Sequence, residues 1–382
     1  MTIYRAAIVG LSSVGAAPRS TDPASSPLGH PWPNSHAAGY ALFPQAEVVA
    51  VCDLKPDLLD QFTHNWGATW PNVHTYTNYR ELLDNERVDL LSVVTPDHVH
   101  AQIVVDAAER GVKGILCEKP IATSLADADR MIEACERAGT VISINHHRRW
   151  EAIYHAALEY IRSPDGGPGP LGAVQRIVAT FGAPRGMLFR NGTHLIDTIC
   201  WFAGSEPQWV TGALDPEHAA YGPRYTGDGG RDPMLDPGGS GLIHFANGVQ
   251  AYVTCSKRLS ANFELDVFCE HGRLCIDDNS GEIYPGPAAK RAWPHHPLPV
   301  PHAQREMTVA ALTEIVEQIE HAGGAAISLG GGPSAERSQG SSAGGETTSP
   351  PRAARTSLSV ILAIVQSHAA GNTPVHFPVK DA

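Results

Sequence analysis

The sequence predicts an α/β protein with a doubly wound parallel sheet, followed by an α+β domain with an open, mostly antiparallel sheet. In residues 1–147, five short apolar runs alternate with helical stretches, as in parallel sheets that helices cover on both faces. In residues 148–382 most runs are β-like, and one contains the hairpin signal Asn247-Gly248. The length of 382 residues allows two such domains.

The elements follow in order along the chain. The strands of the first domain are predicted within 3–15, 46–53, 88–96, 111–120 and 139–147, and its helices at 57–67, 79–87, 99–111 and 125–139. In the second domain, β-like runs are predicted at 173–184, 208–214, 239–257 and 263–278, and helices at 193–204, 306–324 and 356–371. A Gly-, Ser- and Pro-rich insert near 323–353 is expected to be largely mobile.

One stretch interrupts the pattern of the first domain. Residues 16–35 are rich in proline and serine and lie between a glycine-bounded turn and the next helical run. A dinucleotide-binding turn normally opens a helix at once. We therefore expect the helix to begin late, near Ser35, and to leave a long loop over the site.

Composition excludes several classes of function. The formal net charge of −12 and the pI of about 5.8 argue against nucleic-acid binding. The sequence has no run of about 20 apolar residues, so it predicts no membrane span. The first residues do not resemble a signal peptide. The seven cysteines are scattered, which favours a reduced, cytoplasmic protein, and we expect no metal site.

The turn "GLSSVG" predicts a dinucleotide site. It follows a strand and keeps the first and third glycines of the G-x-G-x-x-G pattern. Asp53 ends the next strand, where an acid can accept both ribose hydroxyls and repel a 2′-phosphate, so NAD is favoured over NADP. Capping of the strand is the alternative role for Asp53. The turn residues predicted to bind the cofactor are Gly10, Ser12, Ser13, Val14 and Gly15.

The segment "ILCEKPIA" ends a predicted strand on a lysine, Lys119, followed by Pro120. Lysine is rarely buried, and the proline restricts the backbone around it. Open α/β sheets bind their ligands at the carboxyl ends of strands. The segment therefore indicates a functional charge held beside a ligand.

Together with other short motifs, these segments resemble the Gfo/Idh/MocA family of oxidoreductases. The matching stretches are the glycine turn, "AVCD" at 50–53, "TPDHVH" at 95–100, "EKP" at 118–120, "GTHLID" at 192–197 and the ending "PVHFPV" at 374–379. The resemblance implies a Rossmann domain that binds NAD(P), and a second domain whose open sheet often mediates oligomerisation. We accordingly expect a homodimer or homotetramer.

The resemblance also implies reversible oxidation of a hydroxyl on a carbohydrate or polyol, with Lys119 and His194 as catalytic residues. A base must reach the hydroxyl as hydride leaves the carbon. Histidine titrates near neutral pH, whereas lysine needs a lowered pKa or acts as a fixed charge. The residues that the motifs place beside the cofactor are Thr95, Pro96, His98, His100, Glu118 and Lys119.

The chain departs from the family pattern at one position. The family often has an aspartate four residues before the histidine, and this chain has Arg190 there, followed by Asn191. Arginine cannot act as a base, so proton transfer falls to His194 or Lys119. Arg190 either binds an anionic substrate group or has a solvent-facing or structural role. The residues predicted to bind substrate are Arg148, Arg190, Asn191, His194 and Asp197.

The leading hypothesis is an NAD-dependent dehydrogenase of a sugar, cyclitol or sugar acid. Two alternatives stay open, because the resemblance also extends to relatives of other function. One is a redox-neutral glycoside hydrolase that oxidises its sugar transiently with tightly held NAD. The other is a non-catalytic NAD(P)-binding regulator.

Overall fold

A computed structural model describes residues 2–18, 35–228, 232, 234–286, 293–300, 306–327 and 346–382. The first domain contains a six-stranded, fully parallel sheet with the order β3-β2-β1-β4-β5-β6. Its strands are β1 (Tyr4–Val9), β2 (Ala46–Cys52), β3 (His74–Tyr76), β4 (Leu90–Val93), β5 (Gly114–Cys117) and β6 (Val141–Ile144). The predicted doubly wound sheet is confirmed.

The helices that connect these strands also follow the predicted pattern. They are α1 (His36–Leu42), α2 (Pro56–Trp66), α3 (Tyr79–Asn85), α4 (His100–Glu109) and α5 (Leu125–Ala138). As expected, the first helix begins late: Ser35 caps it, and its hydroxyl accepts a hydrogen bond from the Ala38 amide at 3.2 Å. Residues 19–34 of the preceding loop lie outside the described residues.

Strand β3 is a correction to the prediction of five strands. It has three residues, lies at the edge of the sheet, and has no fully buried side chain. An exposed strand this short carries no apolar pattern, so the sequence gives no signal for it.

The second domain contains a nine-stranded sheet with the order β14-β13-β12-β11-β7-β10-β9-β8-β15. Only β7 and β10 pair in parallel, and the other neighbours are antiparallel. The strands are β7 (Val174–Gly182), β8 (Pro207–Leu214), β9 (Gly239–Phe245), β10 (Gln250–Ser256), β11 (Ala261–Cys269), β12 (Gly272–Asp277), β13 (Gly281–Pro285), β14 (His296–Pro297) and β15 (Val375–His376). The predicted hairpin between β9 and β10 is present, and Gly248 takes the positive φ of +87° that its turn requires.

The described residues of the second half of the chain include the helices α6 (Ala152–Ile161), α7 (Thr193–Ala203), α8 (Met307–Ile327) and α9 (Pro351–Ala369). The predictions did not include α6 or the short strands β13, β14 and β15. As predicted, α7 ends at Gly204, which is left-handed with φ +59°. None of the described helices is both long enough and apolar enough to cross a lipid bilayer.

Helix α8 lies on the first sheet although it follows the second sheet in sequence. Its Leu312, Ile315 and Val316 share an apolar cluster with Ile8 and Leu116 of that sheet. A division of the chain at residue 147 therefore separates α8 from the sheet on which it packs.

The predicted insert near 323–353 is described only at its two ends. Helix α8 runs into it as far as Ile327, and α9 begins within it at Pro351. Just before α9, the Ser349 carbonyl accepts a hydrogen bond from the Ile144 amide at 3.0 Å. Residues 328–345 lie outside the described residues.

Candidate active site

The predicted motifs lie together because the sheet order brings them to one edge. The order β2-β1-β4-β5-β6 aligns the loops that follow these strands, and all five strands run the same way. Doubly wound sheets bind their ligands at this edge, where the strand order reverses between β1 and β4. The glycine turn follows β1, and the lysine follows β5.

The glycine turn has no room for side chains at its two glycines. Gly10 has φ +97°, and a Cβ there would lie 2.3 Å from the carbonyl oxygen of the residue after β4. A Cβ on Gly15 would lie 2.0 Å from the Gly10 carbonyl oxygen. Ser12, Ser13 and Val14 are exposed on the turn. The turn thus presents bare backbone and hydroxyl groups, as a bound pyrophosphate requires.

Asp53 lies against this turn. Its Oδ2 accepts a hydrogen bond from the Leu11 amide at 2.9 Å, and its Oδ1 accepts one from the Lys55 amide at 2.9 Å. Each carboxylate oxygen has a further lone pair. Asp53 therefore holds the turn against β2 and still has acceptor sites for ribose hydroxyls.

The "TPDHVH" segment forms the next part of the edge. His100 is buried, with Nε2 2.9 Å from the Thr95 carbonyl oxygen and Nδ1 3.0 Å from the Pro120 carbonyl oxygen. It joins this loop to the lysine loop, so its ring lies inside the protein. The His98 side chain is about half exposed, and Pro96 precedes the short helical turn that contains it.

Two observations fit a bound dinucleotide at this edge. The Thr95 hydroxyl is buried and has no hydrogen-bond partner in the protein, which is uncommon for a native polar group. Gly10 and Gly15 keep the turn free of side chains, because a Cβ at either position would overlap backbone atoms of the protein, so a pyrophosphate can approach the bare backbone. The turn, Asp53 and Thr95 are the residues that would hold such a cofactor.

Lys119 points from the end of β5 toward the second domain, where its Nζ donates a hydrogen bond to the Arg190 carbonyl oxygen at 2.7 Å. Burial lowers its pKa to about 8; Arg190 and Arg148 add to this effect, and Glu118 opposes it. Lys119 therefore exchanges protons close to neutral pH, unlike an ordinary lysine.

Glu118, the residue before Lys119, is held by hydrogen bonds from two side chains. Its Oε1 accepts hydrogen bonds from Asn145 Nδ2 at 2.6 Å and from His36 Nε2 at 3.1 Å. Burial alone would raise its pKa, but His36, Lys119 and Asn145 lower it to about 2. Glu118 is therefore a carboxylate at any working pH, and its contacts are with protein groups.

His194 is buried on α7, and its Nδ1 has no hydrogen-bond partner. Its ring centroid lies 4.4 Å from that of His147 and 5.6 Å from that of His146. Burial holds the pKa of His194 well below its usual range, and neighbouring His147 and Lys119 contribute. His194 is therefore neutral and suited to hydrogen bonding rather than to holding a proton.

Two of the predicted substrate residues are engaged in ion pairs. Asp197 is buried and accepts from Arg149 Nε at 2.7 Å and Arg149 NH2 at 3.0 Å. Arg148 donates to Asp278 at 2.9 and 2.6 Å. Direct substrate contact by Asp197 and Arg148 stays a prediction, and this geometry favours a role in holding the two domains around the cleft.

Arg190 and Asn191 lie in a π-helical turn, Leu188–Gly192, that leads directly into α7. Such turns are frequent at functional sites. The Arg190 side chain is partly buried, and this burial, together with nearby Arg185, lowers its pKa. Asn191 Nδ2 donates to the Arg185 carbonyl oxygen at 3.0 Å.

The structure adds residues to this site that the sequence analysis did not select. His147 packs on His194, and Glu151 Oε1 lies 3.4 Å from His147 Nε2. Asp236 accepts hydrogen bonds from the π-helical turn. The segment "NHHRRW" predicted a role for its arginines and not for His147. Asp236 lies in a Gly- and Pro-rich segment without any motif.

Fold and site together define a two-domain nucleotide-binding protein of the oxidoreductase class, with a lysine and a histidine between its domains. Residues 29–146 match the model of the "Oxidoreductase family, NAD-binding Rossmann fold", and residues 136–275 match that of the "GFO/IDH/MocA C-terminal domain". The two matches together cover more than half of the chain. The chain belongs to the Gfo/Idh/MocA family, as its motifs predicted.

Named relatives act on sugars and cyclitols. D-apiose dehydrogenase of Paraburkholderia graminis is 34% identical over 117 residues, which cover 31% of this chain and 30% of the relative. Myo-inositol 2-dehydrogenase of Thermotoga maritima is 27% identical over 128 residues, which cover 34% and 37%. Each alignment thus spans less than half of the relative's length.

Solved structures share the fold along nearly the whole chain. An oxidoreductase from Agrobacterium radiobacter, in complex with NAD+, L-tartaric acid and magnesium, superposes with a TM-score of 0.68. The identity is 16%, and the superposition covers 98% of each chain. At this identity the likeness concerns the fold alone.

Proposed function

We propose that the chain is an NAD-dependent dehydrogenase that oxidises a hydroxyl of a sugar, cyclitol or sugar acid. One observation carries the proposal: half-buried Lys119, with a lowered pKa, lies at the edge that also carries the glycine turn and Asp53. The relatives support the class of substrate. Nothing in the described residues or in these relatives favours the hydrolase or the regulator.

Lys119 is the proposed general base. With a pKa of about 8, roughly a tenth of Lys119 is the neutral amine at pH 7 and about half of it at pH 8, far more than for an ordinary lysine. The amine takes the proton of the substrate hydroxyl, while the carbon that carries this hydroxyl loses a hydride. NAD, when bound, supplies the hydride acceptor, and the products are a ketone or lactone, NADH and a proton.

His194 is the proposed hydrogen-bonding partner of the same hydroxyl. Because its pKa lies well below the ordinary value, it stays neutral and is a weak base. A neutral imidazole N–H can stabilise negative charge that develops on the substrate oxygen. Of the two candidates for proton transfer, this assigns the base to Lys119 and orientation to His194.

Asp53 favours NAD over NADP, because its carboxylate would repel a 2′-phosphate. Lys55 follows Asp53 two residues later, and a lysine attracts a 2′-phosphate. The test therefore compares the binding of NAD with that of NADP. Titration of the protein's tryptophan fluorescence with each cofactor gives the two dissociation constants. We expect tighter binding of NAD, and an Asp53→Ala variant should lose that preference.

The activity is tested by absorbance at 340 nm with NAD and a panel of sugars, inositols and sugar acids. We expect NADH to form with one substrate class. Lys119→Met should lower kcat by about 10²- to 10⁴-fold, the usual contribution of a general base. Lys380→Met, an exposed lysine near the carboxyl end, is the matched control and should leave kcat unchanged.

Other outcomes would contradict the proposal. Release of nitrophenol from nitrophenyl glycosides without net NADH formation would indicate the hydrolase. NAD binding without turnover of any panel member would indicate the regulator. Equal activity of Lys119→Met and Lys380→Met would exclude Lys119 as the base.

We also propose a cytoplasmic homodimer or homotetramer that associates through the open second sheet. Val178 and Tyr252 on neighbouring strands β7 and β10 are 39% and 47% exposed, which supports an apolar contact there. Light scattering after size-exclusion chromatography measures the subunit number. A Tyr252→Glu variant should shift the mass toward the monomer.

A further inference from the structure

The position of the family aspartate is occupied by an arginine, yet Lys119 still has an oxygen partner there. That partner is the main-chain carbonyl of Arg190, which accepts from Lys119 Nζ at 2.7 Å. A carbonyl oxygen has no charge and cannot exchange a proton. Its effect on the lysine depends on how firmly the peptide around it is held.

The Arg190 peptide lies in the π-helical turn that precedes α7. In this turn the amides of Asn191 and Gly192 both donate to the Met187 carbonyl oxygen, at 3.2 and 2.8 Å. The amides at the start of any helical segment have no partner within it. Without an acceptor from elsewhere, the amides of Phe189 and Arg190 would be buried and unsatisfied.

Asp236 supplies both acceptors. Its Oδ1 accepts from the Phe189 amide at 3.2 Å, and its Oδ2 accepts from the Arg190 amide at 3.0 Å. The side chain is almost completely buried, with 1% of the residue exposed. Two hydrogen bonds thus connect Asp236 to Lys119 through the backbone of one residue. The carboxylate accepts from the Arg190 amide, and the Arg190 carbonyl, which belongs to the next peptide unit, accepts from Lys119 Nζ.

The surroundings of Asp236 make its charge variable. Burial raises its pKa to about 7; the Phe189 and Arg190 amides oppose this, and nearby Asp97 adds to it. Asp97 itself accepts from the Tyr225 hydroxyl at 3.2 Å, and Lys257 Nζ lies 3.4 Å from the Asp236 carbonyl oxygen.

The charges that face Lys119 come from several elements. Glu118 lies on its own loop, Arg148 lies after β6, and Arg190 and Asp236 lie in the second domain. The Asp236 carboxylate raises the pKa of Lys119, because a negative charge favours the ammonium.

We propose that Asp236 is a positioning residue for Lys119: it fixes the Arg190 backbone, whose carbonyl accepts from the lysine amine, and it supplies a negative charge to this part of the site. Asp236 acts through the backbone of Arg190 and need not touch substrate. Its importance for catalysis rests on the proposed function, whereas its effect on Lys119 can be measured without cofactor or substrate.

The test is an NMR titration of lysine side chains. The chain has six lysines, so a protein labelled with ¹³C at the lysine Cε gives few signals, and Lys119→Arg identifies one of them. We expect a midpoint near 8 for Lys119 in the wild type. In Asp236→Asn the midpoint should fall by roughly half to one pH unit, because one opposite charge is lost.

Asp106→Asn is the matched control. Asp106 is also buried, but it lies on α4 and accepts its hydrogen bonds from Tyr79 and Arg80 on α3 and from Gln102 on α4. It should leave the Lys119 midpoint unchanged. An unchanged or raised midpoint in Asp236→Asn would overturn the proposal and leave Asp236 as a helix cap only.

Two further readings keep the test decisive. If Asp236→Asn does not fold, the wild type provides the test. The Lys119 signal should show a second inflection near pH 7, where Asp236 titrates. This inflection should persist in Glu151→Gln, and its absence would overturn the proposal. If the enzyme assay succeeds, Asp236→Asn should lower kcat and move the rising pH limb to lower pH, with KM for NAD unchanged. Failure of that assay in the wild type would count against the proposed function and not against the effect on Lys119.

Discussion

Glu151 makes a contribution to the stability of this protein that is lost as the pH rises through neutrality. The residue is 8% exposed at the start of α6 and faces Arg148, Asp278 and His147. Burial raises its pKa from 4.5 to about 7; Arg148 opposes this effect, and Asp278 adds to it. The folded protein therefore holds a proton that the unfolded chain has already lost between these two values.

The size of the effect follows from the two pKa values. The contribution of Glu151 is fully present below about pH 4.5 and is lost as the pH passes through 7. Between pH 5 and pH 8, the free energy of unfolding should fall by about 2.5 kcal/mol from this group. That is a large part of the stability of an ordinary domain.

Urea unfolding, followed by tryptophan fluorescence at pH 5, 6, 7 and 8, measures this contribution. Glu151→Gln keeps the shape of the side chain and cannot ionise. Between pH 5 and pH 8, the free energy of unfolding of this variant should therefore gain about 2.5 kcal/mol relative to that of the wild type. Glu159→Gln, an exposed acid on the same helix, should behave as the wild type does. Parallel pH profiles for Glu151→Gln and the wild type would refute the reasoning.

Three further predictions concern the cofactor edge and the domain junction. Glu118→Gln removes the charge that raises the pKa of Lys119, so the rising limb of the pH–rate profile for oxidation should move below about 8; an unmoved limb would show that Lys119 is not the titrating base. Gly10→Ala places a Cβ 2.3 Å from a backbone carbonyl at φ +97°; calorimetry should show NAD binding weakened by about tenfold or more, and a change under twofold would contradict this account of the turn. Asp197→Ala leaves the Arg149 guanidinium buried without its bidentate partner, and urea unfolding should show a loss of about 3–5 kcal/mol. A loss below about 1 kcal/mol would mean that water reaches the arginine.

Local features of the sequence predicted much of the fold. The capping hydroxyl of Ser35, the Asn247-Gly248 turn and Gly204 after α7 each specify their conformation through neighbours within a few residues. The alternation of apolar runs and helices predicted the parallel sheet for a similar reason, because strands covered on both faces must be apolar throughout. Features without such a local signal, such as β3, were missed.

The candidate site was predictable where a motif stands on a strand end. Lys119, Asp53 and the glycine turn lie at one edge of the sheet because all of them follow parallel strands that run the same way. The roles of Asp197 and Arg148 were harder to predict, since the sequence does not show that Asp197 pairs with buried Arg149 and Arg148 with half-buried Asp278.

The sequence by itself determined the class of fold and the order of its longer elements, because these depend on periodicity and on short motifs. Tertiary structure alone decided which groups surround Lys119. Its oxygen partner is the main-chain carbonyl of Arg190, 71 residues away. Asp236, which accepts from the amide of the same residue, lies 46 residues further on. Such contacts, and the pKa shifts that burial causes at Lys119, Glu151 and Asp236, exist only after the chain has excluded water around groups that no local pattern connects.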